Sequence, residues 1–212
     1  MLINEITQIK EDVDKTAVLA FGRMNPPTVG HKKLADKVAS IPGDGHYIFL
    51  SHSSGGKTKK PGTKGYENKD PLPFELKLKY AQASFPNVTV GDASVTTAIS
   101  ALKKLQSMGY NKVIFVAGAD RVSEFEALFN NYLGTEYEFD SLDVVSAGER
   151  DPDAEGVEGM SASKMRAAVR QGDFETFKMG VANPNTAKDL FNDLTRILQN
   201  NPMDGDNFAE VN

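Results

Sequence analysis

Two short stretches of the 212-residue chain combine residue types that can grip an anion. The first is Phe21-Gly22-Arg23-Met24-Asn25-Pro26-Pro27-Thr28-Val29-Gly30-His31. The second is Gly159-Met160-Ser161-Ala162-Ser163-Lys164-Met165-Arg166. In each, hydroxyl-bearing residues stand where a helical pattern begins, and an imidazole or a cation follows about one turn in. The start of a helix exposes backbone N–H groups and carries partial positive charge, so it attracts phosphate oxygens. Hydroxyls, N–H groups and a guanidinium converging on one place make a polyphosphate clamp. Either stretch alone also reads as an ordinary turn, with Thr28 or a serine as a plain helix cap. The pairing of the two is what speaks for phosphate.

The elements that must position these residues follow from periodicity. The apolar run Ala17-Val18-Leu19-Ala20-Phe21 is a buried strand leading into the first stretch. A helix over 28–40 leads out, with Val29, Leu34 and Val38 inward, and Pro42 and Gly43 end it. Further strands read over 46–50, 88–90, 112–117 and 139–145, with helices over 73–84, 94–108, 121–130, 161–171 and 173–179. A last helix over 185–200 carries Leu190, Phe191, Leu194, Ile197 and Leu198 on one face and should dock on the body. Strands alternating with helices imply an α/β protein with a parallel sheet and right-handed crossovers, ending in a helical appendage. The division expected is an arm over 1–15, a main domain over 16–180, a docking helix over 181–200 and a loose tail over 201–212. In such sheets ligands bind beyond the carboxyl ends of the strands, near the switch in strand order. The 28–31 turn, the Gly118-Ala119-Asp120 turn and the loops over 51–72 and 147–159 should therefore gather on one edge.

Composition narrows the classes. The net charge of −5 gives no reason to expect a nucleic-acid partner. With no cysteine, disulfides and thiolate metal sites are excluded. The three histidines, His31, His46 and His52, lack metal-site spacing, and no metal ligand is assigned. No apolar run reaches membrane-spanning length, and the first residues lack a signal-peptide core, so a cytoplasmic protein with no membrane partner is expected. Gly56-Lys57-Thr58 is not a P-loop, because Ser51 stands where that motif needs glycine. The 51–72 loop does concentrate Lys57, Lys59, Lys60, Lys64 and Lys69, either as a solvated segment or as a lid for a phosphorylated substrate.

The first stretch resembles the first signature of the nucleotidylyltransferase superfamily, a Gly-rich turn ending in His-x-Gly-His or Thr-x-Gly-His. Ser161-Ala162-Ser163-Lys164-Met165-Arg166 resembles the second, Ser-Ser/Gly-Thr/Ser-x-x-Arg. The resemblance covers about residues 16–180. It implies a Rossmann-like sheet and transfer of a nucleotidyl group from a nucleoside triphosphate, ATP first, to a small phosphorylated acceptor, with Mg²⁺ assisting and pyrophosphate leaving. By resemblance His31 stabilises charge on the α- or β-phosphate and Thr28 replaces the first His of the signature. Arg166, Ser161 and Ser163 hold the β- and γ-phosphates. Gly22 and Gly30 let the backbone approach the nucleotide, and Arg23 adds a phosphate contact. Phe21, Asn25, Gly118 and Asp120 complete the expected nucleotide-binding set.

Acceptor choice rests on finer likenesses. Gly118-Ala119-Asp120 resembles the turn of nicotinate/nicotinamide mononucleotide adenylyltransferases, and Gly22-Arg23 resembles their archaeal branch. Nicotinamide mononucleotide is thus the favoured acceptor. Thr28 and Val122-Ser123-Glu124-Phe125-Glu126 are similar to pantetheine-phosphate adenylyltransferase instead, although Asp120 and Leu128 depart from that enzyme's Arg and Glu. Cytidylyltransferase activity is a further alternative. The Met24-Asn25-Pro26-Pro27-Thr28 wording resembles nucleotidyltransferase-like proteins of large bacteriophages, which would place the chain in a host cytoplasm. The reading from another class is a non-catalytic nucleotide-binding or virion-associated structural protein. A homo-oligomer is left open.

Overall fold

The computed structural model describes residues 14–52, 69–148 and 159–199. The expectations for the arm up to residue 13, for Lys57, Lys59, Lys60 and Lys64, for 149–158 and for the tail lie outside the described residues.

Five strands form one wholly parallel sheet in the order β3-β2-β1-β4-β5. They are β1 (Thr16–Gly22), β2 (Gly45–Leu50), β3 (Thr89–Val90), β4 (Lys112–Ala117) and β5 (Ser141–Ser146). The central strand β1 is apolar almost throughout because both its faces are covered. Ala17 and Leu19 point into a core built with α3 (Ala98–Ser107) and α4 (Val122–Asn130). Val18 and Ala20 point into a second core built with α1 (Val29–Ser40) and α2 (Phe74–Ser84). This is the alternation of a two-sided strand. A third core joins Tyr80 of α2 to α5 (Ala162–Arg170), α6 (Phe174–Gly180) and α7 (Ala187–Gln199). Ala187, Leu190, Leu194 and Leu198 are the buried residues of α7, and its apolar face packs into this third core. No helix among the described residues is long and apolar enough to cross a membrane.

The β1–β4 ladder runs from Thr16↔Lys112 to Leu19↔Phe115 and stops there, while both strands continue. Beyond that point β1 stays paired with β2 through Gly22↔Leu50, and β4 with β5 through Ala117↔Ser146. The strand order reverses at this place, so the carboxyl ends of β1 and β4 bound the crevice where α/β sheets bind ligands.

Several boundaries differ from the periodicity reading. The helix expected from residue 94 starts at Ala98, because Thr97 and Ser100 form a reciprocal cap there. Val95 keeps the apolar rhythm but belongs to a turn. A 3-10 turn, Ala119–Arg121, precedes α4, so that helix begins at Val122. The last strand begins at Ser141 rather than Phe139. Of the residues read as inward on α1, Val38 is buried and Val29 and Leu34 are half-buried; Ala35 fills the remaining place.

Candidate active site

The segment leaving β1 turns sharply. Met24 is buried with φ of 46°, a conformation rare for a residue with a side chain. Such positions persist where the surroundings hold them, and they cluster at functional sites. The chain then meets α1 at Thr28, whose extended backbone makes it the N-cap. The Thr28 hydroxyl accepts from the His31 N–H at 3.3 Å, and His31 Nδ1 accepts from the Thr28 N–H at 3.0 Å. This is a capping box with imidazole in place of the usual Glu. It also fixes the ring: Nδ1 is an acceptor, so Nε2 carries the proton of the neutral imidazole and is a donor.

Gly22 and Gly30 flank this turn, and nothing among the described residues requires either to be glycine. Neither has a positive φ, and a Cβ on Gly30 would meet only Thr28 Oγ1, at 3.6 Å. A Cβ on Gly22 would come no closer than 3.4 Å to the flexible end of Met24. Glycine near a helix start costs stability relative to alanine. The bare backbone at both positions leaves room for something else to approach.

The second stretch arrives at the same edge. Ser161 caps α5 by accepting from the Lys164 N–H at 3.1 Å. One turn in, Arg166 is only 2% exposed. It donates to the Asn25 carbonyl at 2.8 Å and to the Ser163 hydroxyl at 2.9 Å. A backbone bridge between Thr28 and Val181 fastens the cap of α1 to the chain after α6. Neither α1 nor α5 has an acidic residue in its first turn, so the positive potential of each start is not cancelled from within the helix.

Of the residues expected at the site, the structure thus joins Asn25, Thr28, His31, Ser161, Ser163 and Arg166 through bonds within and between the two stretches. Phe21 and Gly22 end β1, and half-buried Arg23 begins the turn. Gly118 and Asp120 stand at the end of β4, across the switch point rather than in the bonded group. A Cβ on Gly118 would stand 2.8 Å from Asp120 Oδ1, so glycine lets that carboxylate fold back toward the strand end. His46 is structural: it lies in β2 with Nε2 2.8 Å from the Ile41 carbonyl. His52 stacks on Phe74 at 3.8 Å between ring centroids. Lys69 is exposed.

One buried group escaped the sequence reading. Lys77 of α2 is 1% exposed, pairs with Asp70 at 3.0 Å and donates to the Ser51 carbonyl at 2.5 Å. Asp70 in turn accepts from the Asn25 amide, which also bonds the backbone of Leu72 in both directions. Burial pushes the Lys77 ammonium below its ordinary range; the Asp70 carboxylate opposes this, and the charge of Arg23 adds to it. A signal was available: Lys77 shares the 77-80-81-84 face with Tyr80, Ala81 and Ser84, which is the buried face of α2.

The geometry defines a class of architecture, a Rossmann-like α/β sheet with two helix starts joined at its switch-point edge. Solved structures with this fold include a protein from Vibrio parahaemolyticus assigned as a nicotinate-nucleotide adenylyltransferase. It is 19% identical, with a TM-score of 0.52, over 82% of this chain and 98% of that one. Two structures of the Plasmodium falciparum nicotinic acid mononucleotide adenylyltransferase also match, each over 91% of this chain and 98% of that one. The complex with APC is 15% identical with a TM-score of 0.54, and the complex with NaAD is 14% identical with a TM-score of 0.52. At these identities the likeness is one of fold. No protein-family model matches the chain, and no curated protein matches it by sequence.

Proposed function

We propose that the protein is a nucleotidylyltransferase that moves AMP from ATP to a small phosphorylated acceptor, nicotinamide mononucleotide first. The observation that carries this reading is the meeting of the Thr28–His31 box and the capped start of α5 at one sheet edge, tied by Arg166 to Asn25. The fold shared with three adenylyltransferase structures supports it.

The chemistry asks for alignment and charge neutralisation rather than a covalent protein group. An oxygen of the acceptor phosphate attacks the α-phosphorus, a new P–O bond forms, and the α–β bridging bond breaks with its electrons going to pyrophosphate. The His31 Nε2–H donates to the oxygens gaining charge at the α- and β-phosphates. Thr28 holds the ring for that task by its cap. The start of α5, with Ser161, Ser163 and Arg166, receives the β- and γ-phosphates, and Arg23 adds positive charge beside them. Gly22 and Gly30 let the main chain lie against the nucleotide, with Phe21 and Asn25 shaping the turn. Gly118 and Asp120, at the end of β4 across the switch point, complete the nucleotide-binding set. In this reading Mg²⁺ enters as the counter-ion of the triphosphate and is part of the substrate.

The test mixes protein and Mg²⁺ with ATP or CTP and offers nicotinamide mononucleotide, nicotinate mononucleotide or phosphopantetheine in turn, following pyrophosphate. Release that requires ATP and the nicotinamide acceptor supports the reading. Release with phosphopantetheine alone would reassign the acceptor. Tight nucleotide binding without release from any pair would make this a binding protein instead.

A further inference from the structure

We propose that Lys77 is a positioning residue that sets the Arg166 guanidinium through a buried relay running from α2 to α5. The inference rests on the nucleotide reading of the site given above.

The links are all short. Lys77 Nζ bonds the Ser51 carbonyl at 2.5 Å and Asp70 Oδ1 at 3.0 Å. Asp70 Oδ1 accepts from Asn25 Nδ2. The same Asn25 amide is clamped by Leu72, donating to its carbonyl at 3.0 Å and accepting from its N–H at 3.1 Å. The main-chain carbonyl of Asn25 then accepts from Arg166 Nη1 at 2.8 Å. Every side chain in the relay is nearly out of water: Lys77 and Asn25 are 1% exposed, Arg166 2%, and the Asp70 side chain 6%.

Two features make this more than a stabilising ion pair. A buried pair is weak as a source of stability, because desolvating both charges offsets most of their attraction. What such a pair does well is fix geometry, since each partner has one low-energy arrangement in a dry site. Here the arrangement fixed is that of the turn after β1, whose Asn25 carbonyl is a named acceptor for Arg166. Lys77 also brings Ser51, just past β2, and Asp70, just before α2, to a single ammonium. The ends of β1 and β2 and the first turns of α5 therefore share one hydrogen-bonded unit, and it terminates on the cation that the proposed chemistry uses.

The test is a coupling cycle read by binding rather than turnover. The affinity of a non-hydrolysable ATP analogue is measured by calorimetry, with titrations carried to millimolar concentrations. Asp70→Asn/Lys77→Met is compared with wild type, and the same two changes are compared in an Arg166→Ala background. The double change replaces the charges with neutral groups of similar size and keeps an acceptor for Asn25, so the fold should persist by circular dichroism and a cooperative melt. If the relay acts through Arg166, the changes weaken binding about tenfold in the first comparison and less than about twofold in the second. Equal weakening in both backgrounds, or none in the first, would overturn the relay and leave Lys77 as a purely structural residue. Should the double variant not fold, Asp70→Asn alone runs through the same cycle with the same two outcomes. Failure of the wild type to bind the analogue overturns the nucleotide reading itself, which separates that result from a failed relay.

Discussion

At the scale of single residues, the site depends on side chains that are held and on side chains that are missing. His31 is held: its Nδ1 takes the Thr28 N–H, and this makes Nε2 the donor nitrogen of the neutral ring. Gly30 is the missing one, since among the described residues the nearest atom that a Cβ there would meet is Thr28 Oγ1, at 3.6 Å. Gly30→Ala should leave the melting temperature unchanged or raise it, by the equivalent of up to about 1 kcal/mol, because alanine is the better helix residue. The same substitution should weaken binding of an ATP analogue, since the Cβ would occupy the approach to the backbone. Calorimetry of folding and of binding on one sample checks both; a variant both less stable and undiminished in affinity would mean that the glycine serves the fold. Thr28, His31, Ser161 and Arg166 were legible because hydroxyl-plus-cation spacing at a helix start is a local pattern. Asp70 and Lys77 were not legible in the same way. Their meaning depends on Ser51 and Asn25, which only folding brings to them, and the one local hint is that Lys77 lies on α2's buried face.

At the scale of elements, the strands and most helices follow apolar rhythm, and the largest boundary error falls where a polar cap overrules it. Apolar spacing extends α3 back to Val95, but Thr97 closes the helix by its box with Ser100. The turn before it is organised by Asp92, which has φ of 136° and accepts from the Ser94 backbone at 2.8 Å and pairs with Lys104 at 3.0 Å. The bonds from Ser94, and then from Lys104, hold its carboxyl down from the ordinary 3.8 to about 2. A carboxylate whose folded value is depressed contributes stability that is fully present above the unfolded value and lost as the pH falls through the folded one. Melting temperature should therefore drop between about pH 4 and pH 2, and Asp92→Asn should make that drop shallower while lowering stability at neutral pH. Parallel pH profiles for the two proteins would contradict this role for the turn.

At the scale of the whole molecule, the sequence shows that α7 has an apolar face but not what covers it. The structure supplies the partner: α7 closes a third core with α5, α6 and Tyr80 of α2. Tyr80 is 1% exposed, and its hydroxyl donates to Asp193 of α7 at 2.6 Å, so one side chain spans 113 residues of sequence. This clamp fastens α7 to α2, which carries Lys77, and α5, with its cap Ser161 and its Arg166, packs in the same core. Burial, then the hydrogen bond to Asp193, push the Tyr80 phenol well above its ordinary value of 10.0. Folding thus favours the neutral phenol, and the stability it contributes is present below pH 10 and lost as the pH rises above it. Tyr80→Phe should cost about 1 kcal/mol at neutral pH through the lost bond. Chemical denaturation should also show that the variant loses less stability than the wild type on going from neutral to strongly alkaline conditions. An equal alkaline loss would place the titrating group elsewhere. The parallel sheet was foreseeable from strands alternating with helices, whereas its order was not, because order is set by which cores the two faces share. That order is what puts the opening between β1 and β4, beside the turn that follows β1 and to which Arg166 is tied through the Asn25 carbonyl.

The central claim is that these stretches form one catalytic site for transfer of a nucleotidyl group, and pyrophosphate release tests it most directly. With ATP, Mg²⁺ and nicotinamide mononucleotide, the wild type should release pyrophosphate in step with formation of the dinucleotide. His31→Ala should still fold, with a modestly lower melt from the opened capping box, and release it about 10²- to 10³-fold more slowly, the loss typical of one preorganised donor to a charged transition state. Undiminished release by His31→Ala, or none by the wild type with any acceptor offered, would contradict the account.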